Sequence, residues 1–156
     1  MCWESECVEI VRVLIDDMDT VQTYTDDRIE RALLVSAMQV TREVGLTTTY
    51  TVNILEATIT PDPTDPRDQD FLNLMCLKCA YLIVHGEAKR YGSSSIVVSD
   101  GPSSVNFGSA YKALKEIAEN LKNDYEREKN KYQMGVSGGV VTTPTTYSGY
   151  GYGEIL

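Results

Sequence analysis

Long apolar runs are what this sequence most plainly lacks. No stretch approaches the roughly 20 consecutive apolar residues that a membrane-spanning helix requires. Its opening, M-C-W-E-S-E, is acidic and has neither the cationic nor the apolar region of a secretory signal, which predicts a soluble protein of a reducing compartment. Positive charge is scarce too. Fourteen Lys and Arg stand against 23 Asp and Glu, a net charge of −9. Because affinity for nucleic acid comes largely from cations that neutralise phosphates, this balance argues against a protein that grips DNA. It still permits a surface past which DNA slides without sticking. Histidine occurs once, at His85, so any Ser-His-Asp or Cys-His arrangement would depend on that side chain alone. Neither G-x-x-x-x-G-K-[ST] nor G-x-G-x-x-G occurs, which removes the usual phosphate cradles.

Cysteine is sparse as well: Cys2, Cys7, Cys76 and Cys79. Cys76 and Cys79 form a C-x-x-C, but they lie inside a long apolar run without the turn residues that shape a metal knuckle, so burial is the expectation. His85-Gly86-Glu87 matches the H-x-E of zinc deaminases in the wrong order, because those enzymes place the C-x-x-C downstream. The plainer role for His85 is a cation or donor near the end of its helix. Asp62, Asp65, Asp68 and Asp70 lack the alternation of a calcium loop, and Asp65 or Asp68 suits a helix cap. No cofactor, metal or catalytic residue is expected.

What is present is helical periodicity. Cys7, Ile10, Val11 and Leu14 share a face of a first helix over residues 7–15. It runs into Asp16-Asp17-Met18-Asp19, an unfavourable ending because acids oppose the dipole there. Thr25 is a good N-cap for a second helix, with Asp26 and Asp27 in its first turn and Gly45 closing it. Ile29, Leu33, Ala37, Val40 and Val44 make its apolar stripe. The Thr-rich, β-branched residues 46–60 suit a small hairpin. Pro61, Pro63 and Pro66 follow as a connector. Residues 67–90 are apolar nearly all round, predicting a central buried helix with Gly92 as its stop. Residues 93–107 read as a second hairpin or extended loop about the turn at Asp100-Gly101-Pro102. A last helix over residues 109–132 carries Leu114, Ile117, Ala118, Leu121, Tyr125 and Tyr132 on one stripe and a dense charged face opposite. The expected fold is mostly α: a four-helix, bundle-like domain over residues 1–132 with one or two small β-hairpins.

From residue 133 the composition changes to Gly, Ser, Thr, Val and Tyr, with Glu154 the only charged side chain. A plain flexible tail carries no tyrosines, whereas Tyr buries its ring while its hydroxyl keeps a partner. Residues 133–156 therefore read as an extended C-terminal arm that orders on a partner or a neighbouring copy, with Tyr147, Tyr150, Tyr152, Ile155 and Leu156 as its contacts.

Four segments together resemble the head-to-tail connector (adaptor) proteins of tailed bacteriophages. They are V-R-V-L-I-D-D (residues 11–17), Y-T-D-D-R-I-E (24–30), G-E-A (86–88) and S-D-G-P-S-S (99–104). The resemblance covers roughly residues 7–132, and no catalytic signature accompanies it. It implies a non-enzymatic virion protein of the neck, assembled in the host cytoplasm as a homo-oligomeric ring, usually of twelve copies, beneath the portal protein. A C-terminal extension would dock on the portal, and further neck or tail proteins would follow. The loop holding Ile96, Val98, Asp100, Val105 and Phe107 would face neighbours or the channel. An acidic ring would let duplex DNA pass without specific binding. A stopper or tail-completion protein of the same neck is the nearest alternative, and a DNA-binding packaging or regulatory protein is a remoter one.

Overall fold

The computed structural model describes residues 3–94 and 107–136. Their elements are α1 (Trp3–Leu14), α2 (Asp26–Glu43), β1 (Thr51–Asn53), β2 (Thr58–Thr60), α3 (Gln69–Ser94) and α4 (Phe107–Val136). The described residues are mostly helical, with one small antiparallel hairpin, as the periodicity predicts, and the second hairpin expected over residues 93–107 falls largely outside them.

The α2 stripe is buried along its whole length: Ile29, Leu33, Ala37 and Val40 are completely enclosed, and Val44 nearly so. Each fully buried Ile, Leu or Val contributes about 1.5–3 kcal/mol, so this face alone commits α2 to the core. Thr25 caps it, its hydroxyl accepting from the Arg28 amide. α3 lies at the centre, packed against α1, α2 and α4. Phe71, Leu72, Leu74, Met75, Cys76, Cys79 and Ala80 are buried on every side of it, which is why its apolar residues nearly encircle the helix. Its N-cap is Asp68, whose Oδ1 accepts from the Phe71 amide at 3.0 Å while Oδ2 accepts from the Tyr50 hydroxyl at 2.8 Å. Tyr50 then stacks on Phe71 with ring centroids 4.0 Å apart, fixing the hairpin to the start of α3. In that hairpin Thr51 faces Thr60, Val52 faces Ile59 and Asn53 faces Thr58.

Four boundaries differ from expectation. α1 starts at Trp3 rather than near residue 7, because Trp3 sits one turn before Cys7 and is buried with it. α3 passes through Gly92 to Ser94. Gly92 is a close approach and not a stop: a Cβ there would meet the Tyr111 ring at 3.0 Å. Consequently His85 lies well inside α3, where it stacks on Tyr81, and not at a helix end. α4 runs from Phe107 to Val136, so residues 133–136 are helical where the arm is expected to begin, and residues 137–156 of the expected arm lie outside the described residues.

One stripe residue also differs. Ala118, Leu121 and Tyr125 are buried, but Ile117 is 46% exposed. At about 100° per residue Ile117 falls roughly 60° off the line through Leu114, Leu121 and Tyr132. α4 packs chiefly on α3, and one neighbouring helix covers only a narrow strip.

Candidate functional site

The unfavourable acidic ending of α1 belongs to a buried polar network. Arg12, buried to 1% exposure, points into the end of the bundle. Its Nη1 donates to Asp17 Oδ2 at 2.8 Å, and its Nη2 donates to the Tyr24 carbonyl at 2.9 Å and to Asp26 Oδ1. Asp17 in turn accepts from the Thr23 amide at 2.7 Å and the Tyr24 amide at 3.2 Å. The chain bends back through Asp16, whose φ of 57° is left-handed, a region that Asp tolerates better than most residues. Burial alone would raise the Asp17 carboxyl, but the Thr23 and Tyr24 amides and the Arg12 guanidinium hold it below the ordinary range.

The node reaches a third helix through Tyr24, whose hydroxyl donates to Glu87 Oε2 at 3.0 Å. Glu87 Oε1 takes Arg90 at 2.6 Å, and Arg28 covers the Tyr24 ring at 4.7 Å. Burial first, then the Glu87 carboxylate, push the Tyr24 hydroxyl up to about 12. Among the described residues no buried side-chain nitrogen or oxygen lacks a hydrogen-bond partner. A buried ion pair of this kind is a weak source of net stability, but it fixes geometry, since leaving one partner unpaired is strongly unfavourable.

A second tie joins α2, α3 and α4. Glu43 accepts from Lys78 at 2.9 Å and from the Tyr125 hydroxyl at 2.8 Å, and Lys78 lies 4.5 Å over the Tyr125 ring. Burial would raise Glu43, but Lys78 and Tyr125 outweigh it and lower the carboxyl. The Thr47 amide donates to the Tyr132 hydroxyl at 3.0 Å, fastening the far end of α4.

Two surfaces stand out. The turn between α1 and α2 presents Met18 and Val21, 58% and 86% exposed, beside the exposed acids Asp16 and Asp19. Between α3 and α4 lies a cleft of about 410 Å³ lined by His85, Ala88, Lys89, Gly92, Tyr111 and Lys115. Its walls are apolar and aromatic, and its charged lining residues are cationic. Elsewhere the outer face of α4 interleaves its charges in pairs, such as Arg127 with Asp124 at 2.9 Å and Lys129 with Glu126 at 2.6 Å. No run of unneutralised cations forms there.

The described cysteines are core residues: Cys7, Cys76 and Cys79 are buried free thiols. The Cys79 thiol donates to the Ile29 carbonyl at 3.9 Å, and burial pushes it up to about 12. Among the described residues no group of three or more His, Cys, Asp or Glu is placed to hold a metal ion, and no helix is long and apolar enough to cross a membrane. Asp62 turns its carboxylate on Thr64, accepting from the amide at 2.8 Å and the hydroxyl at 2.6 Å.

Of the residues the sequence singles out as contacts, Tyr147, Tyr150, Tyr152, Ile155 and Leu156 lie outside the described residues, as do Ile96, Val98, Asp100 and Val105. Phe107 is the first residue of α4 rather than the end of a loop. Sequence reasoning missed the Arg12 node and the Lys89–Lys115 cleft. The node left a signal, an Arg beside the apolar face of α1 followed by acids where a helix dipole disfavours them. The cleft left none, because it depends on how α4 folds back on α3.

A scan against protein-family models and searches of curated proteins and solved structures match nothing.

Proposed function

We propose that this chain is a non-enzymatic, ring-forming adaptor of the head-to-tail junction of a tailed bacteriophage. Copies pack side by side beneath the portal, the arm within residues 133–156 docks on it, and DNA passes the acidic lumen without specific binding. The observation that carries the reading is the convergence of three of the four resembling segments. Arg12 and Asp17 come from the first, Tyr24 and Asp26 from the second and Glu87 from the third, and all five belong to one hydrogen-bonded network. Residues that look unrelated along the sequence therefore act as one structural device, which supports reading these segments as parts of one architecture.

The charge distribution supports a structural role over a DNA-binding one. Residues 107–136 carry a net +1, but the cations there alternate with acids at helical spacing, and the rest of the chain is strongly acidic. A DNA-binding face needs clustered Lys and Arg.

The test is addition of the purified chain to portal rings of the same phage, with and without residues 137–156, a truncation that leaves α4 whole. Arm-dependent addition of copies supports the proposal. A chain that ignores portal in both forms removes it and leaves the stopper and tail-completion readings to be tried against the lower neck.

A further inference from the structure

The acidic turn and the cationic cleft are complementary in charge, and the end of the turn is anchored on α3 at the height of the cleft. Tyr24, at the end of the α1–α2 turn, reaches Glu87. The cleft is lined from α3 by His85, Ala88, Lys89 and Gly92. At 3.6 residues per turn, Glu87 lies about 160° around α3 from both His85 and Lys89, yet only two residues along it. From this we infer that the α1–α2 turn of one copy docks in the α3–α4 cleft of the next. Met18 enters between the Tyr111 ring and Ala88, and Asp16 and Asp19 meet Lys89 and Lys115. The inference rests on the ring-forming reading and names the contact that builds the ring.

Two features favour a second copy as the occupant. Charge is the first: among the described residues Lys89, Asp16 and Asp19 form no ion pair, and Lys115 has only Glu119 at 3.8 Å. The charges that remain on the two surfaces are therefore opposite in sign. Preorganisation is the second. The buried Arg12–Asp17 pair and the Thr23 and Tyr24 amides hold the turn in one shape, so little ordering is lost on docking.

The experiment uses charge exchange in the full chain, followed by sedimentation velocity alone and on portal rings. K89E/K115E reverses the cleft. D16N/D19K inverts the turn while keeping at residue 16 a side chain that tolerates a left-handed backbone. Each variant is expected to weaken self-association roughly tenfold or more, since like charges then face each other. An equimolar mixture should recover assembly to within about threefold, because each variant's turn matches the other's cleft. If either variant assembles like the unaltered chain, or the mixture does no better than its components, the contact is wrong although the adaptor reading stands. If the unaltered chain forms no assembly, alone or on portal, both fall together.

Discussion

The Tyr24 hydroxyl donates to Glu87 at 3.0 Å across 63 positions of sequence, joining the start of α2 to the far half of α3. Through the Tyr24 backbone the same residue is bound to Arg12 and Asp17, so a single residue ties α1 and the α1–α2 turn to α3.

That linkage makes Arg12 and Asp17 strongly interdependent. Arg12→Ala strands a buried carboxylate and is expected to cost about 3–5 kcal/mol, read as a shift in the urea midpoint at constant m. Asp17→Leu leaves the guanidinium with Asp26 and the Tyr24 carbonyl, so its cost should be smaller. The double variant R12M/D17L should cost far less than the sum of the single changes, because well-packed apolar replacements of a buried pair are often near neutral. Additive losses would show that the pair is not the unit described.

Acid sensitivity follows with a defined sign. Asp17 and Glu43 titrate below their ordinary values of 3.8 and 4.5 in the folded protein. Their contribution is therefore fully present above those values and is lost as pH falls through the folded ones. Thermal midpoints should hold steady above pH 5 or so and drop progressively below about pH 4, with a shallower drop in Asp17→Asn. Tyr24 works at the other end: its folded value is raised, so its contribution is complete below 10.0 and fades as pH climbs toward about 12. Tyr24→Phe should remove that part of the alkaline loss, and an unchanged alkaline profile would count against it.

Two glycines of α3 should respond oppositely to alanine. Nothing lies within 4 Å of a Cβ placed on Gly86, so Gly86→Ala should stabilise by about 0.5–1 kcal/mol through helix propensity alone. A Cβ on Gly92 meets the Tyr111 ring at 3.0 Å. There the propensity gain should vanish, and Gly92→Leu should cost about 1–3 kcal/mol by overpacking. Equal stabilisation at both sites, measured by chemical denaturation, would mean that α4 does not press on α3 at Gly92.

Duplex DNA should show no measurable retardation by the full chain at about 0.15 M salt in a mobility-shift titration. A salt-dependent affinity with a steep slope would instead identify phosphate contacts and favour the packaging or regulatory reading.

Much of the fold was legible because one-dimensional patterning carries it. The α2 stripe, the Thr25 cap, the Asp68 cap and the Thr-rich hairpin all follow from spacing and residue type. The misplaced boundaries have a common cause. Gly92 reads as a stop until Tyr111 is known to lie against it, and Ile117 reads as core until α3 is seen to cover only a narrow strip of α4. Both depend on the packing of one helix on another, which leaves no trace in local periodicity. The acidic end of α1 is a different case. Asp17 breaks a local rule of helix termini, and the structure supplies the reason in Arg12 and the two amides it serves.

The most direct measurement of the central claim is native mass spectrometry of portal rings of the same phage incubated with an excess of the full chain. The adaptor account predicts one discrete added mass, equal to a whole ring of copies in register with the portal symmetry and lost when residues 137–156 are removed. Portal rings that keep their own mass, or that gain a ragged ladder of copies indifferent to that truncation, would contradict it.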